Sequence, residues 1–141
     1  MLSQETIVSQ IKSLLSNHPN INLDILFLYV PEFKILHELI QDDEIIQGYC
    51  MGLLEGSNEK YSAGKWIVVL TNKRFHLVRN PMMGSSFQHN IIEFTNIKKL
   101  TTKLGWFFGQ IQWEQESNTI RMIQIGKKDY SFFLPSLKHF L

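Results

Sequence analysis

The sequence predicts an α+β fold, namely a β-sandwich or partly open barrel of about seven antiparallel strands with an N-terminal helical arm and a C-terminal helix as a cap. Three observations support this. Apolar residues recur at helical spacing near the N-terminus, short β-type segments follow from Ile45 at intervals of roughly ten residues, and an apolar stripe returns at the C-terminus. A length of 141 residues suits one domain with its own core.

The arm begins with an amphipathic helix predicted over Ser3 to Ser16. Ser3 is a good N-cap, and the segment 17–19 supplies the stop. The apolar positions at helical spacing are Ile7, Val8, Ile11, Leu14 and Leu15.

Two shorter elements are predicted to complete the arm. Asn22 caps an apolar stretch that runs to residue 30, and Pro31 opens a helix whose Phe33, Leu36 and Ile40 share one face. The acidic segment 41–44 ends the helical part, and we interpret its carboxylates Asp42, Asp43 and Glu44 as solvated groups. The chain thus divides into an arm, 1–42, and a β domain, 43–141.

Gly, Asn, Pro and Ser residues, which favour turns, separate the β-type segments of the β domain. Ile111 and Trp113 alternate with polar neighbours, which indicates a strand with one buried face. Segment 66–70 is apolar at every position, which predicts cover on both faces. Turns are predicted at 71–73, 80–84 and 117–118. The predicted strands lie near 44–54, 64–71, 73–79, 86–94, 97–104, 107–115 and 119–126.

A final helix is predicted to begin at Asp129 as its cap and to pack on the sheet. Pro135 lacks a backbone donor, so it should kink or split this helix. The apolar stripe consists of Phe132, Phe133, Leu137, Phe140 and Leu141.

No residue pattern indicates catalysis, a cofactor or a metal. Gly64 and Lys65 lack the remaining residues of a phosphate-binding loop. The single cysteine, Cys50, is expected to be a buried apolar residue. His76 and His89 approach each other if their segments form a hairpin, but a satisfied or exposed pair explains them better than a metal site. The chain is therefore not expected to be an enzyme.

Charge is unevenly distributed along the chain. Residues 1–60 carry a formal charge of −6 and residues 61–141 carry +7, for a net charge of +1. This asymmetry suits an acidic arm on a basic domain, a basic face for an anionic partner, or ordinary solvated surface. Nucleic acid is not expected as a partner, because the near-neutral chain gives little long-range attraction.

Aromatic residues lie among the basic ones in the second half of the chain. We interpret Trp106, Phe107 and Phe108 as core or inter-subunit residues rather than as platforms for stacked bases. The lysines around them are Lys98, Lys99, Lys103, Lys127 and Lys128.

One motif resembles a known family. Segment 64–78 is similar to the second and third strands of bacterial pleckstrin-homology (PH)-like domains of the YokE type, with Leu70, Thr71 and Arg74 at the positions of its Leu-Thr-x-x-Arg motif. Segments 31–45 and 97–111 also resemble this family, so the resemblance covers about residues 31–141. It implies a partly open sandwich of about seven strands and a non-catalytic role in ligand binding, membrane-surface association or homo-oligomerisation.

The resemblance also indicates candidate ligand-binding residues around the first loop. In PH domains that bind lipid headgroups, basic side chains flank this loop, and Lys60, Lys65 and Arg79 occupy comparable positions here. Glu55 and Glu59 add opposing charge, and Ile67 stands where another basic residue is expected. Solvated loop lysines are the alternative interpretation.

The function predicted first is a protein–protein interaction or homo-oligomerisation module. Exposed strand edges and a composition with ten Phe, three Trp and five Met favour an interface. The N-terminal helix is free to dock on its own domain or on a neighbour. The alternative is a peripheral membrane or anionic-ligand binder. The chain has no apolar run long enough to cross a bilayer and no secretory layout at its start, so we expect it in the cytoplasm.

Overall fold

The arm folds as an amphipathic helix followed by two short helical turns. A computed structural model describes residues 2–16, 30–55, 64–79 and 86–141. Helix α1 spans Gln4–Leu14, and the Ser3 side chain accepts a hydrogen bond from the Thr6 amide at 3.1 Å, as a cap should. Ile7 and Ile11 are fully buried on its inner face. The predicted first helix is confirmed.

The second half of the arm is less regular than the sequence suggests. A 3₁₀ helix spans Pro31–Lys34, and the short helix α2 spans Leu36–Leu39. Phe33, Leu36 and Ile40 are all buried, which confirms their common face. The element predicted from Asn22 falls outside the described residues, apart from its last residue, Val30.

Seven antiparallel strands form one sheet, as predicted. Their order is β4-β3-β2-β1-β7-β6-β5, so β4 and β5 are the outer strands and the sheet does not close. Every strand lies within two residues of its predicted ends, and a 3₁₀ turn, Phe94–Asn96, links β4 to β5. The strands are β1 Ile46–Glu55, β2 Gly64–Thr71, β3 Arg74–Arg79, β4 Gln88–Glu93, β5 Ile97–Leu104, β6 Phe108–Gln115 and β7 Thr119–Gly126.

Two hydrophobic clusters lie on opposite faces of β2. Trp66, Val68 and Leu70 point into the inner cluster between the two halves of the sheet. Ile67 and Val69 point into an outer cluster, which they share with the arm. All five side chains are fully buried, which confirms the prediction of cover on both faces. The arm therefore packs on its own domain, and the division at residue 42 stays a prediction.

The C-terminal helix fills a gap in the sheet beside β1. Strand β1 pairs with β2 along its length but with β7 only at 53–55. Helix α3 spans Lys127–Phe133, and its ring at Tyr130 occupies the space above Gly109, where an added Cβ would lie 2.2 Å from that ring. Glycine at 109 thus permits the helix to approach β6 closely.

The predicted start and stripe of this helix need correction. It begins at Lys127 rather than after an Asp129 cap, because β7 runs through Gly126 directly into the helix. Pro135 behaves as predicted, since the α-helix ends at Phe133 and a 3₁₀ helix, Leu134–Phe140, follows. Phe133 and Leu137 are fully buried, whereas Leu141 is 61% exposed and does not join the packed stripe.

Two predicted turns can be compared with the structure. Between β2 and β3, the Thr71 hydroxyl accepts hydrogen bonds from the amides of Lys73 and Arg74 at 3.1 and 3.2 Å. Between β6 and β7, the Gln115 amide donates to the Asn118 carbonyl at 2.9 Å. The turn predicted at 80–84 lies outside the described residues. Within the described parts of the chain, no helix is long and apolar enough to cross a bilayer.

Candidate functional site

The structure describes two of the three residues of the predicted loop site. Lys65 is exposed near the start of β2, Arg79 ends β3 and is half-buried, and Lys60 lies outside the described residues. Because Ile67 pairs with Val78, Lys65 and Arg79 lie at the same end of the β2–β3 ladder. Strand alternation places Lys65 on the face of Ile67, which belongs to the outer cluster. It places Arg79 on the face of Leu77, which belongs to the inner cluster, so the two side chains leave opposite faces of the sheet. Their role in binding a ligand stays a prediction.

The charge of Lys65 acts on two carboxyl groups of the same chain, which the sequence did not indicate. Burial raises the pKa of Glu32 in the arm and of Asp129 in α3, and the positive charge of Lys65 partly offsets both shifts. Arg79 is also engaged, since its Nη1 donates to Gln88 Oε1 at 3.3 Å. The positive charge of Lys65 therefore already interacts with carboxyl groups of the same chain.

The interpretation of Glu44 as a solvated carboxylate is wrong. Its side chain is fully buried, with Oε1 accepting from Thr71 Oγ1 at 2.6 Å and Oε2 accepting from the Gln41 amide at 2.8 Å. Arg74 Nη1 lies 3.0 Å from Oε2. Burial opposes ionisation, but the hydrogen bonds from Thr71, Gln41 and His76 outweigh it and hold the pKa of Glu44 below its usual range.

Two histidines extend this network into β4. His76 Nε2 lies 2.8 Å from Glu44 Oε1, and His76 Nδ1 lies 2.9 Å from His89 Nε2. An ionised Glu44 only accepts, so His76 Nε2–H donates to it, and His76 Nδ1 then accepts from His89 Nε2–H. Burial lowers the pKa of His76, and burial together with the charge of His76 lowers the pKa of His89 to about 4. Both rings are neutral at pH 7.

This network fastens the segment 41–44, which joins the arm to β1, to strands β2 and β3 rather than preparing a nucleophile. Both nitrogens of His76 are occupied, and the Thr71 hydroxyl is turned toward Glu44. Among the described residues, no group of three or more His, Cys, Asp or Glu side chains is arranged to hold a metal ion. The predicted approach of His76 and His89 is confirmed, and their hydrogen bond explains it.

The largest exposed apolar side chains lie at the turn between β5 and β6. Trp106 is 88% exposed and Phe107 is 76% exposed, so their interpretation as core residues is wrong. The Gly105 amide donates to the Phe108 carbonyl at 2.9 Å and closes the turn. We call this surface the aromatic tip, and it consists of Leu104, Trp106, Phe107 and Phe108.

Three exposed lysines surround the aromatic tip. Lys103 immediately precedes it on β5. Phe108 pairs with Gly126, so Lys127 and Lys128 begin α3 beside the tip. We call Lys103, Lys127 and Lys128 the tip lysines. The ion pairs between described residues involve other cations, namely Arg74, Lys98 and Arg121.

The aromatic tip and the predicted loop site lie at opposite ends of β7. The last residue of β1, Glu55, pairs with Arg121 near the start of β7, whereas Phe108 pairs with Gly126 at its end. The sequence draws attention to the aromatic and lysine residues of the tip, but it predicts core or inter-subunit positions for the aromatic ones. Their place in a tight turn was the available signal, because a turn between two antiparallel strands exposes its side chains.

Comparisons with known proteins identify the fold. The chain matches a family described as the bacterial PH domain over residues 40–138. It is similar to the crystal structure of a DUF1696 family protein with a pleckstrin-homology domain from Shewanella loihica PV-4, with 15% identity, a TM-score of 0.47, and coverage of 86% of this chain and 98% of that chain. No curated protein matches. The family match spans most of the chain, and the open seven-stranded sheet with its C-terminal helix agrees with it, so this protein belongs to the bacterial PH domain family.

Proposed function

We propose that this protein is a non-catalytic interaction module that holds its partner through the aromatic tip. The partner predicted first is a protein, including a second copy of the chain, and the alternative is a membrane or another anionic ligand. The observation that carries the proposal is the exposure of Trp106 and Phe107, at 88% and 76%. Trp and Phe in contact surfaces supply much of the binding free energy, and contiguous exposed apolar residues mark such surfaces.

The docking of the arm supports the tip as the contact surface. The apolar face of α1, including Ile7 and Ile11, is buried in the outer cluster of the same chain. That face is therefore already used within the molecule. The aromatic tip retains its apolar area on the surface, which makes it the better candidate for an external contact.

The loop site remains a second candidate for an anionic ligand. Its predicted residues are Lys60, Lys65 and Arg79. Lys65 and Arg79 lie at one end of the β2–β3 ladder, but on opposite faces of the sheet, which weakens the candidate. Glu32 and Asp129 weaken it, since their carboxyl groups compete for the charge of Lys65. Membership of the YokE-type subfamily and a cytoplasmic location also remain proposals, which rest on the sequence.

Fractionation of a cell extract tests the aromatic tip without assuming the class of partner. The wild-type chain is expected to run with a larger complex or to sediment with membranes. A Trp106→Ser, Phe107→Ser variant is expected to lose this association, whereas Ile45→Ser, at a side chain 57% exposed elsewhere, serves as the matched control. Identical fractionation of the wild type and the tip variant would contradict the proposed function.

A further inference from the structure

We infer that the aromatic tip inserts into the interface of an anionic membrane, with the tip lysines on the lipid headgroups. This inference rests on the proposed function and names the partner of the same surface. It differs from the loop site in position and in chemistry. The loop site is predicted to recognise phosphate through charge alone, whereas the tip would anchor through apolar insertion supported by charge.

The shape of the tip suits insertion into a soft surface. The turn from Leu104 to Phe108 extends about two residues past Lys103, or roughly 7 Å at the rise of a β-strand. Apolar faces of interfacial segments are buried about 5–10 Å into the boundary between headgroups and acyl chains. Trp in particular favours this depth, because its ring is apolar and its N–H remains hydrogen-bonded near the headgroups.

The charge around the tip suits an anionic surface. Lys103, Lys127 and Lys128 are exposed, and they lie immediately behind the aromatic side chains rather than among them. When the aromatic rings insert, the three ammonium groups therefore reach the level of the lipid phosphates. Attraction to anionic lipids then adds to the burial of apolar area.

The same lysines disfavour a second copy as the occupant. If two tips met about a two-fold axis, each would bring its own three lysines to one contact. Like charges placed together oppose association, whereas an anionic bilayer neutralises them. A protein with an acidic pocket has complementary charge as well, and the experiment below separates it from the membrane.

The intrinsic tryptophan fluorescence reports the insertion directly. Trp66 and Trp113 are fully buried, so Trp106 is the tryptophan whose surroundings change on binding. The purified full chain is mixed with vesicles of pure phosphatidylcholine or of equal parts phosphatidylcholine and phosphatidylserine. We expect sedimentation with the anionic vesicles and a shift of emission to shorter wavelength, and added salt should weaken both. Trp106→Phe should retain sedimentation and lose most of the emission shift.

Charge and insertion variants locate the contact. Trp106→Ser with Phe107→Ser should weaken binding to the anionic vesicles at least about tenfold. Each change of Lys103, Lys127 or Lys128 to Gln should weaken it about fivefold. Lys12→Gln with Lys34→Gln, at exposed lysines of the arm, is the matched control and should leave binding unchanged. Binding that is lost in Lys60→Gln with Lys65→Gln but kept in the tip variant would overturn the inference in favour of the loop site.

Failure of the inference is distinguishable from failure of the proposed function. Suppose that the wild type binds neither kind of vesicle while the tip variant still loses its association in the extract. In that case the membrane is the wrong partner and the tip remains the contact surface. Light scattering then shows whether the partner is a second copy, by a concentration-dependent mass above the 16.5 kDa of one chain. If the tip variant behaves as the wild type in both experiments, both proposals fail.

Discussion

At the scale of single residues, Glu44 shows how little a local pattern says about burial. It stands beside Asp42 and Asp43 in a run of carboxylates, yet those two are exposed and Glu44 is buried. Its partners Thr71 and His76 lie 27 and 32 positions further along the chain. No spacing in the sequence links these residues, because the antiparallel fold alone brings them together.

Removal of the Glu44 charge should destabilise the protein strongly. Glu44→Gln removes the anionic acceptor for the Thr71 hydroxyl, the Gln41 amide and His76, whereas Arg74 keeps Glu93 as its partner at 3.0 Å. We expect a loss of about 1–3 kcal/mol in the free energy of unfolding. Urea denaturation measures it. Asp43→Asn, next to it but exposed, is the matched control and should change stability by less than about 0.5 kcal/mol. Equal effects of the two substitutions would show that the network does not stabilise the fold.

The histidines predict a loss of stability on acidification. The pKa of His89 is about 4 in the folded chain and 6.5 as its ordinary value, and that of His76 is also lowered. Between these pH values the unfolded chain binds more protons, so the free energy of unfolding falls as pH falls, by up to about 1.4 kcal/mol per pH unit per histidine. Lowering of the pKa of Glu44 adds to this loss at more acidic pH, whereas the raised pKa values of Glu32 and Asp129 oppose it.

Urea titrations at pH 7 and pH 5 measure this dependence. His89→Gln keeps a donor for His76 and removes one titrating group, so it should flatten the change between the two pH values. A wild-type midpoint that is the same at both pH values would contradict the account of the network.

At the scale of elements, periodicity predicted most of the fold. Alternation identified β6 and a continuous apolar run identified β2, because each pattern follows from which faces are covered. The sequence predicts the start of α3 too late, since Asp129 looks like a cap but β7 passes into the helix without a loop. The sequence does not determine where α1 docks, because an apolar helical face looks the same whether it covers its own sheet or a neighbour.

The docking of α1 can be tested through Ile11. This side chain is fully buried against the outer cluster, so Ile11→Ala should lower the free energy of unfolding by about 2–5 kcal/mol. Lys12→Ala, on the exposed face of the same helix, is the control and should have an effect within about 0.5 kcal/mol. If both variants unfold at the same urea concentration as the wild type, α1 does not pack on the sheet in solution.

The closure of the sheet by α3 depends on Gly109. An added methyl group would overlap the ring of Tyr130, so Gly109→Ala should destabilise the protein by about 1–3 kcal/mol. A Cβ at Gly126 would meet nothing within 4 Å, which makes Gly126→Ala the matched control. Thermal unfolding of both variants measures the difference. A Gly109→Ala variant as stable as Gly126→Ala would mean that α3 does not lie against β6 as described.

At the scale of the whole molecule, the PH resemblance correctly predicted the fold and directed attention to one end of the sheet. The residues at that end, Lys65 and Arg79, are partly engaged by groups of the same chain. The aromatic tip lies at the other end of β7, and composition could not reveal it. Trp and Phe are usually buried, so their residue type alone predicts the core. The tip residues are exposed because they lie in a closed turn and other side chains already fill the core.

The central claim is that the aromatic tip contacts the partner, and crosslinking inside the cell tests it most directly. A photo-crosslinking amino acid placed at position 107 should form an adduct with a protein or a lipid, because Phe107 lies at the proposed contact. The same amino acid at position 12, on the exposed face of α1, should give far less. An adduct at position 12 and none at position 107 would contradict the claim.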